Sequence, residues 1–354
     1  MIAQALSSFG SMAQIWRFSF FIPCSKEHPM RSVVFESFGE PSEVLVLADR
    51  PQPQPAAGQV RVRMAMSPIH NHDLAIIRGK YGYRPPLPAV PGTEAVGVVD
   101  ALGEGVTHLQ VGQRVMLAGA SATWAEYFLA QGAKLIPVPD ALSDSLACQL
   151  IAMPLSAAML LEDLQLQPGQ WMVQNTANGA VGKTVAMLAQ ARGVKVVNLV
   201  RRDAGVAELD ALGIANGVST EQAGWEERVQ AITAGEPIVR AVDSIGGDAA
   251  NQIMNVVAAG ATLVSFGAMS GQPLVLSANN LIFKQATVKG FWGAKRSEAT
   301  PPAEMARLIG ELIRLAASGE LRLPVEASFD IADAARAAAA SDVPGRAGKI
   351  TLTA

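Results

Sequence analysis

The spacing of apolar positions changes character along the chain. Val33–Phe35 and Val44–Ala48 are short apolar runs of strand type, followed by a proline-rich link, Pro51–Pro55. Val60–Met66 alternates apolar and polar residues, the period of a strand with one buried face. Glu94–Leu102 and Val111–Leu117 are further apolar strands set between glycine-rich turns. Glycine and proline punctuation at this spacing predicts a compact, partly barrelled β region. Ser143–Leu161 then reads as helix, with Pro154 marking a kink or boundary.

From Trp171 onward strands and helices alternate. Trp171–Gln174 is a short buried strand, followed by a glycine turn and a helix over Val181–Ala191. Next come strand Val194–Val200, helix Ala204–Leu212, strand Gly217–Val218 and helix Trp225–Thr233. Strand Val239–Asp243, helix Ala249–Val257 and strand Ala261–Phe266 complete the series. Repeated βαβ units imply a parallel sheet with helices on its faces, an α/β fold. After Phe291 a long helix is expected over Pro302–Ser318, a small-faced one over Ala334–Ala340, and a last strand over Lys349–Thr353.

Composition narrows the picture. The chain has 354 residues, half of them hydrophobic, which suits two domains better than one core. Its 28 basic and 31 acidic residues give a net charge of −3, so no nucleic-acid partner is expected. No apolar run reaches the roughly 18 residues of a membrane helix, and no membrane partner is expected either. Cys24 and Cys148 form no CxxC pair or disulfide framework, so a cytoplasmic location is the simplest reading. Residues 1–29 are set apart as a leader or disordered extension. Their semi-apolar stretch Ile15–Ile22 contains Arg17, and Met30-Arg-Ser-Val-Val-Phe reads as the start of the folded chain. A targeting role for this leader is the alternative.

The turn after Trp171–Gln174 reads Asn175-Thr-Ala-Asn-Gly-Ala-Val-Gly182. Set against G-x-G-x-x-G, it places Ala177, Gly179 and Gly182 at the three glycine positions. The second lets backbone approach a pyrophosphate and the third lets helix pack on strand. The phosphates would rest on a helix N-terminus, whose free N–H groups favour an anion. The second strand of the unit ends in Val200-Arg201-Arg202-Asp203, where NAD sites usually carry an acid alone. Two guanidinium groups suit a 2′-phosphate, which points to NADP rather than NAD.

At this point the chain resembles the medium-chain dehydrogenase/reductase superfamily, on its quinone-reductase side. The carriers are Gly92-Thr-Glu-Ala-Val-Gly-Val-Val, Val111-Gly-Gln-Arg-Val and the Ala177–Gly182 turn. Further segments resemble the 2-enoyl thioester reductases more closely: Arg78-Gly-Lys-Tyr-Gly82 with Leu87-Pro-Ala, Gln174-Asn-Thr-Ala-Asn-Gly, Phe266-Gly-Ala-Met, and Phe283-Lys through Lys289-Gly-Phe-Trp292. The resemblance implies a Rossmann-type parallel-sheet domain plus a discontinuous, mainly β, GroES-like catalytic domain. Its boundaries here would be 30–150 for the first catalytic part, 151–291 for the NADPH-binding domain and 292–354 for the second catalytic part. It also implies that NADPH is lined by Asn178, Gly179, Ala180, Val181 and Gly182, and by Arg201, Arg202 and Asp203. Phe266, Gly267, Ala268 and Met269, then Phe291, Trp292, Gly293 and Lys349, complete that set. A homodimer is expected.

Zinc alcohol dehydrogenases of the superfamily use a Cys and a Gly-His-Glu segment for their catalytic metal. Here Gly92-Thr93-Glu94 lacks the histidine, and His70 stands at the Cys position, so no metal is expected. His70-Asn-His-Asp73 replaces the family's Asn-Pro-Ser-Asp segment and reads as a polar loop near the cleft. A hydride enzyme without zinc suits an acceptor that is already electrophilic. The resemblance implies reduction of a trans-2-enoyl thioester, by hydride transfer to the β-carbon and protonation at the α-carbon. Tyr81 stands at the family's catalytic tyrosine and can donate to the developing enolate. Trp124 and His70 are expected in the substrate pocket, with Trp292 a second aromatic wall. The alternatives are an NADPH:quinone reductase, which would not need Tyr81, and a non-catalytic NADPH-binding protein of crystallin-like or RNA-binding type.

Overall fold

The computed structural model describes residues 28–354. The leader reading falls largely on residues 1–27, outside the described residues. The chain opens with β1 (Pro29–Val34), α1 (Pro41–Val44) and β2 (Val46–Pro51), and β1 and β2 pair antiparallel. There follow β3 (Gln59–Pro68), α2 (Asn71–Ile77), β4 (Glu94–Leu102), β5 (Arg114–Ala118), β6 (Tyr127–Gln131) and β7 (Ile136–Pro137). Two helices, α3 (Asp144–Ala147) and α4 (Ala152–Leu164), lead into the alternating region.

That region runs β8 (Trp171–Gln174), α5 (Ala180–Ala191), β9 (Lys195–Val200), α6 (Asp203–Ala211), β10 (Gly217–Ser219), α7 (Trp225–Thr233), β11 (Ile238–Asp243), α8 (Ala249–Val256), β12 (Thr262–Ser265), α9 (Ala278–Lys284) and β13 (Thr287–Gly290). Its strands pair in parallel in the order β10-β9-β8-β11-β12-β13. The order reverses next to β8, so the crevice above its carboxyl end is a topological switch point. All four residues of β8 are buried, as a central strand covered on both faces requires.

The last elements are α10 (Gly293–Ala299), α11 (Pro302–Ala317), β14 (Val325–Asp330), α12 (Ala334–Asp342) and β15 (Lys349–Thr353). β15 pairs antiparallel with β3, so the C-terminal strands return to the N-terminal sheet, ordered β14-β15-β3-β4-β5-β7. The expected class, a Rossmann-type sheet plus a discontinuous β-rich region, is therefore borne out. In α11, Leu308, Leu312 and Leu315 are buried at helical spacing and join the core that contains α4 and α5. Each such leucine contributes roughly 1.5–3 kcal/mol on burial.

Several local expectations need correction. His70–Asp73 is not a loop. Asn71 begins α2, and the buried Asp73 carboxylate reaches back to accept the His70 backbone N–H at 2.9 Å. An acid at the third helical position closes the first turn in this way, while Leu74 and Ile77 bury the apolar stripe. The 143–161 helix breaks between Ala147 and Ala152. Pro154 lies in the first turn of α4, where no intrahelical N–H is needed, and so fits there instead of kinking the helix. Val111 sits exposed ahead of the strand, which starts at Arg114.

Candidate functional site

The glycine turn lies between β8 and α5 and is held by contact rather than side-chain capping. Gly179 is the N-cap of this 12-residue helix and makes no side-chain cap bond. A Cβ at Gly182 would lie 2.6 Å from the Thr176 carbonyl oxygen and 2.7 Å from the Ala177 Cα. No side chain fits there, which is why the helix packs so closely on the strand end. Beside the turn, Asn178 donates to Glu208 at 3.1 Å and Lys183 Nζ donates to the Ala347 carbonyl at 2.8 Å.

The other residues expected to line a cofactor lie on several elements. Arg201 and Arg202 follow β9 and are exposed, and a Cβ at Gly345 would lie 3.0 Å from Arg202 Nη2. Asp203 is engaged sideways by Gln222, at 3.1 Å. Phe266 stacks on Phe291 with ring centroids 5.7 Å apart, and the Phe266 and Gly267 N–H groups both bond the Asp243 carbonyl. Ala268 and Met269 continue this turn, and Met269 is exposed. Val181 and Ala180 lie in the first turn of α5, and Gly293 opens α10. Burial lowers the Lys349 ammonium to about 8, and its Nζ donates to Ile69 O at 3.3 Å.

Tyr81 lies in the loop after α2 and is 37% exposed. Arg84 holds that loop by donating twice to the Gly79 carbonyl, at 2.9 and 2.6 Å. A Cβ at Gly82 would be 3.9 Å from the ring of Trp292, which is 54% exposed, so the Tyr81 loop and the start of α10 face each other. Behind Tyr81 lies the polar His70–Asp73 segment that the sequence reading took as a loop near the cleft. The His72 ring sits 5.9 Å from that of Tyr81 and stacks on His70 at 5.0 Å. His72 Nε2 lies 2.7 Å from Thr93 Oγ1, whose hydroxyl donates to Asp73 Oδ1 at 2.8 Å.

His70 and Glu94 are both fully buried and joined through His70 Nε2 and Glu94 Oε2 at 2.7 Å. Burial drives the His70 imidazole well below its usual range, so it is neutral, and drives the Glu94 carboxyl up to about 7. Glu94 Oε1 also accepts the Ile151 and Ala152 N–H groups, both at 2.8 Å, and so caps α4. The expectation that His70 lines a substrate pocket is corrected by this burial. Trp124 is corrected likewise. It is wholly buried in the β-region core, seated over Gly92, where a Cβ would lie 2.2 Å from its ring. Sequence reasoning weighed Glu94 only as part of a lost metal motif. Its apolar surroundings, Ala95-Val-Gly-Val-Val, were the available sign that it is buried.

Among the described residues no group of three His, Cys, Asp or Glu is placed to hold a metal ion. Thr93 offers a hydroxyl already given to Asp73, and the His70 nitrogen that faces the cluster is taken by Glu94.

Comparison with known proteins bears on this geometry. The alcohol dehydrogenase GroES-like domain family matches residues 56–140, and the zinc-binding dehydrogenase family matches residues 180–310. The mitochondrial enoyl-[acyl-carrier-protein] reductase of Homo sapiens is 33% identical over 331 residues, covering 92% of this chain and 88% of that protein. This chain belongs to the medium-chain dehydrogenase/reductase superfamily. Among solved structures of these dehydrogenase/reductases, the quinone oxidoreductase of Pseudomonas syringae is 27% identical with a TM-score of 0.81, over 92% of this chain and 100% of that one. The Escherichia coli quinone oxidoreductase complexed with NADPH is 25% identical with a TM-score of 0.82, over the same shares. The superfamily's members found in this way are oxidoreductases, and the chain is an enzyme of that type. The word mitochondrial in the reductase's name does not fit the cytoplasmic expectation. Two cysteines without a CxxC pair suit any reducing compartment and never distinguished between them.

Proposed function

We propose that the protein reduces the carbon–carbon double bond of an α,β-unsaturated thioester, using NADPH. The single observation that carries this reading is Tyr81. Its ring lies 5.9 Å from that of His72, and the next residue, Gly82, faces the Trp292 ring. The identity to enoyl-[acyl-carrier-protein] reductases over most of both chains supports the same reading.

NADPH would lie along Asn178, Gly179, Ala180, Val181 and Gly182, with Arg201, Arg202 and Asp203 at its adenosine end. Phe266–Met269, Phe291–Gly293 and Lys349 would line the rest. When bound, it supplies a hydride to the β-carbon of the acceptor. Negative charge then develops on the thioester oxygen and α-carbon. A phenol keeps its proton at neutral pH, so Tyr81 can hydrogen-bond that charge and pass its proton to the α-carbon. Arg84 fixes the loop that carries the phenol, and Trp292 excludes water from the opposite side.

We assign the homodimer expected from sequence to β13, the edge strand of the parallel sheet among the described residues. The neighbouring α9 leaves Ile282 64% and Phe283 78% exposed, apolar area suited to a second copy. A reducing compartment suits the chain, and the naming of its relatives favours mitochondria over cytosol.

The test is Tyr81→Phe assayed with crotonyl-CoA and with 9,10-phenanthrenequinone. Loss of general acid catalysis should lower kcat on the thioester by about 10²–10⁴-fold with little change in KM. Quinone reduction should fall far less, because reduced quinone oxygens take protons from water. Equal, small losses on both acceptors would make Tyr81 a packing residue and favour the quinone-reductase reading.

A further inference from the structure

The residues behind Tyr81 are ordered by their hydrogen bonds. Asp73 is buried. Its Oδ2 accepts the His70 N–H at 2.9 Å and its Oδ1 accepts the Thr93 hydroxyl at 2.8 Å. Thr93 has one hydroxyl proton, and the carboxylate takes it. Thr93 Oγ1 also lies 2.7 Å from His72 Nε2, so there the oxygen accepts and Nε2 carries the hydrogen. The tautomer of His72 is therefore set from behind, and Nδ1 is left as the nitrogen that gains or loses a proton. No described residue makes a hydrogen bond to Nδ1. The His72 side chain is about one-fifth exposed, and its ring abuts Tyr81.

We infer that His72 is a relay residue acting through Tyr81, with Asp73 and Thr93 orienting it to restore the phenol proton after each turnover. This rests on the reading of Tyr81 as proton donor. Tyr81 gives one proton to the α-carbon and becomes phenolate. The Nδ1 proton of the His72 imidazolium passes to that phenolate, and the neutral imidazole regains a proton from solvent. No electrons move in these steps, since the hydride carries both. The family's Asn-Pro-Ser-Asp segment has serine where this chain has His72, so the relay belongs to this chain's own residues.

The charged and titratable groups around His72 come from three elements and one loop. Asp73 Oδ1 lies 3.6 Å from Nε2. His70 stacks behind it and is neutral, with Glu94 beyond on β4 and Lys349 on β15 acting on both. Tyr81 stands in front, on its loop.

The test uses the full-length enzyme with NADPH and crotonyl-CoA. In wild type, kcat should fall as pH rises through the imidazole's titration. His72→Gln keeps an N–H for Thr93 but cannot titrate. It should lose that limb and at least tenfold in kcat, with NADPH Kd and crotonyl-CoA KM within about twofold of wild type. His72→Ser, carrying the family's residue, serves as a second variant and should show the same loss. Side-chain ¹⁵N spectra of the ligand-free protein should show the Nε2–H tautomer at His72, and Thr93→Val should abolish that preference. A wild-type pH profile in both His72 variants, beside a damaged Tyr81→Phe, would overturn the relay and leave the Tyr81 reading standing. An unaffected Tyr81→Phe would overturn both.

Discussion

Replacing Glu94 by Gln should stabilise the protein progressively as pH rises. Burial lifts the Glu94 carboxyl from 4.5 to about 7, against the opposing pull of the Ala152 and Ile151 N–H groups and of Lys349 and His72. The folded state therefore keeps a proton that the unfolded chain releases first. The stability that Glu94 contributes is complete below the unfolded value and is lost as pH rises through about 7. At about 1.4 kcal/mol per unit, that interval corresponds to about 3 kcal/mol. The side chain is buried, so solvent screening does not reduce the figure. Glutamine copies the protonated acid, since its oxygen can cap α4 and its amide can donate to His70 Nε2. Lys349 would lose one of its anionic neighbours, which trims the gain to about 2 kcal/mol. Urea unfolding of both proteins at roughly pH 5 and pH 8.5 measures it. The variant's advantage should grow by about 2 kcal/mol between the two. A difference independent of pH would refute the assignment of a buried, proton-holding Glu94.

Three further outcomes are expected. Replacing Arg201 and Arg202 together by Ala should weaken NADPH by roughly tenfold to a hundredfold with little effect on NADH. Fluorescence titration checks this, and an unchanged preference would remove the 2′-phosphate from these residues. Purified enzyme should carry far less than one zinc per chain and keep its activity in EDTA, as measured by metal analysis and assay. Stoichiometric zinc with activity lost on chelation would contradict the Thr93–Asp73 arrangement. Phe283→Asp should shift the protein toward monomer in light scattering, whereas an unchanged mass would move the interface away from β13 and α9.

The α/β region was legible because its signals are local. Strand β8 and helix α7 could be bounded to the residue from apolar periodicity and glycine position alone. What was not legible is what depends on partners far along the chain. The break between α3 and α4 needs a carboxylate 57 residues upstream, and no window around Ile151 contains it. Helix α2 was hidden because its cap is a histidine backbone N–H bonded to Asp73, outside the usual Ser, Thr or Asn signals. Trp124 illustrates the reverse error. Its neighbour pattern pointed to the cleft, but the missing side chain at Gly92 gives it a seat in the core. His72 carried no sequence signal of its own, because its tautomer follows from Thr93 and Asp73 together.

The same carboxylate also bears on how the site is assembled. Glu94 sits at the start of β4 and reaches across to the first turn of α4, with Oε1 on two backbone N–H groups. A negative charge at that end of a helix is favourable, and two N–H groups fix its position better than one. Helix α4 packs alongside α5 in one apolar core, and α5 begins at the glycine turn. The other oxygen of Glu94 holds His70, which stacks on His72, which abuts Tyr81. One buried side chain thus ties the glycine turn and the tyrosine loop into a common frame. The stability it forfeits as pH rises through about 7 is the cost of burying the carboxyl that joins β4, α4 and His70.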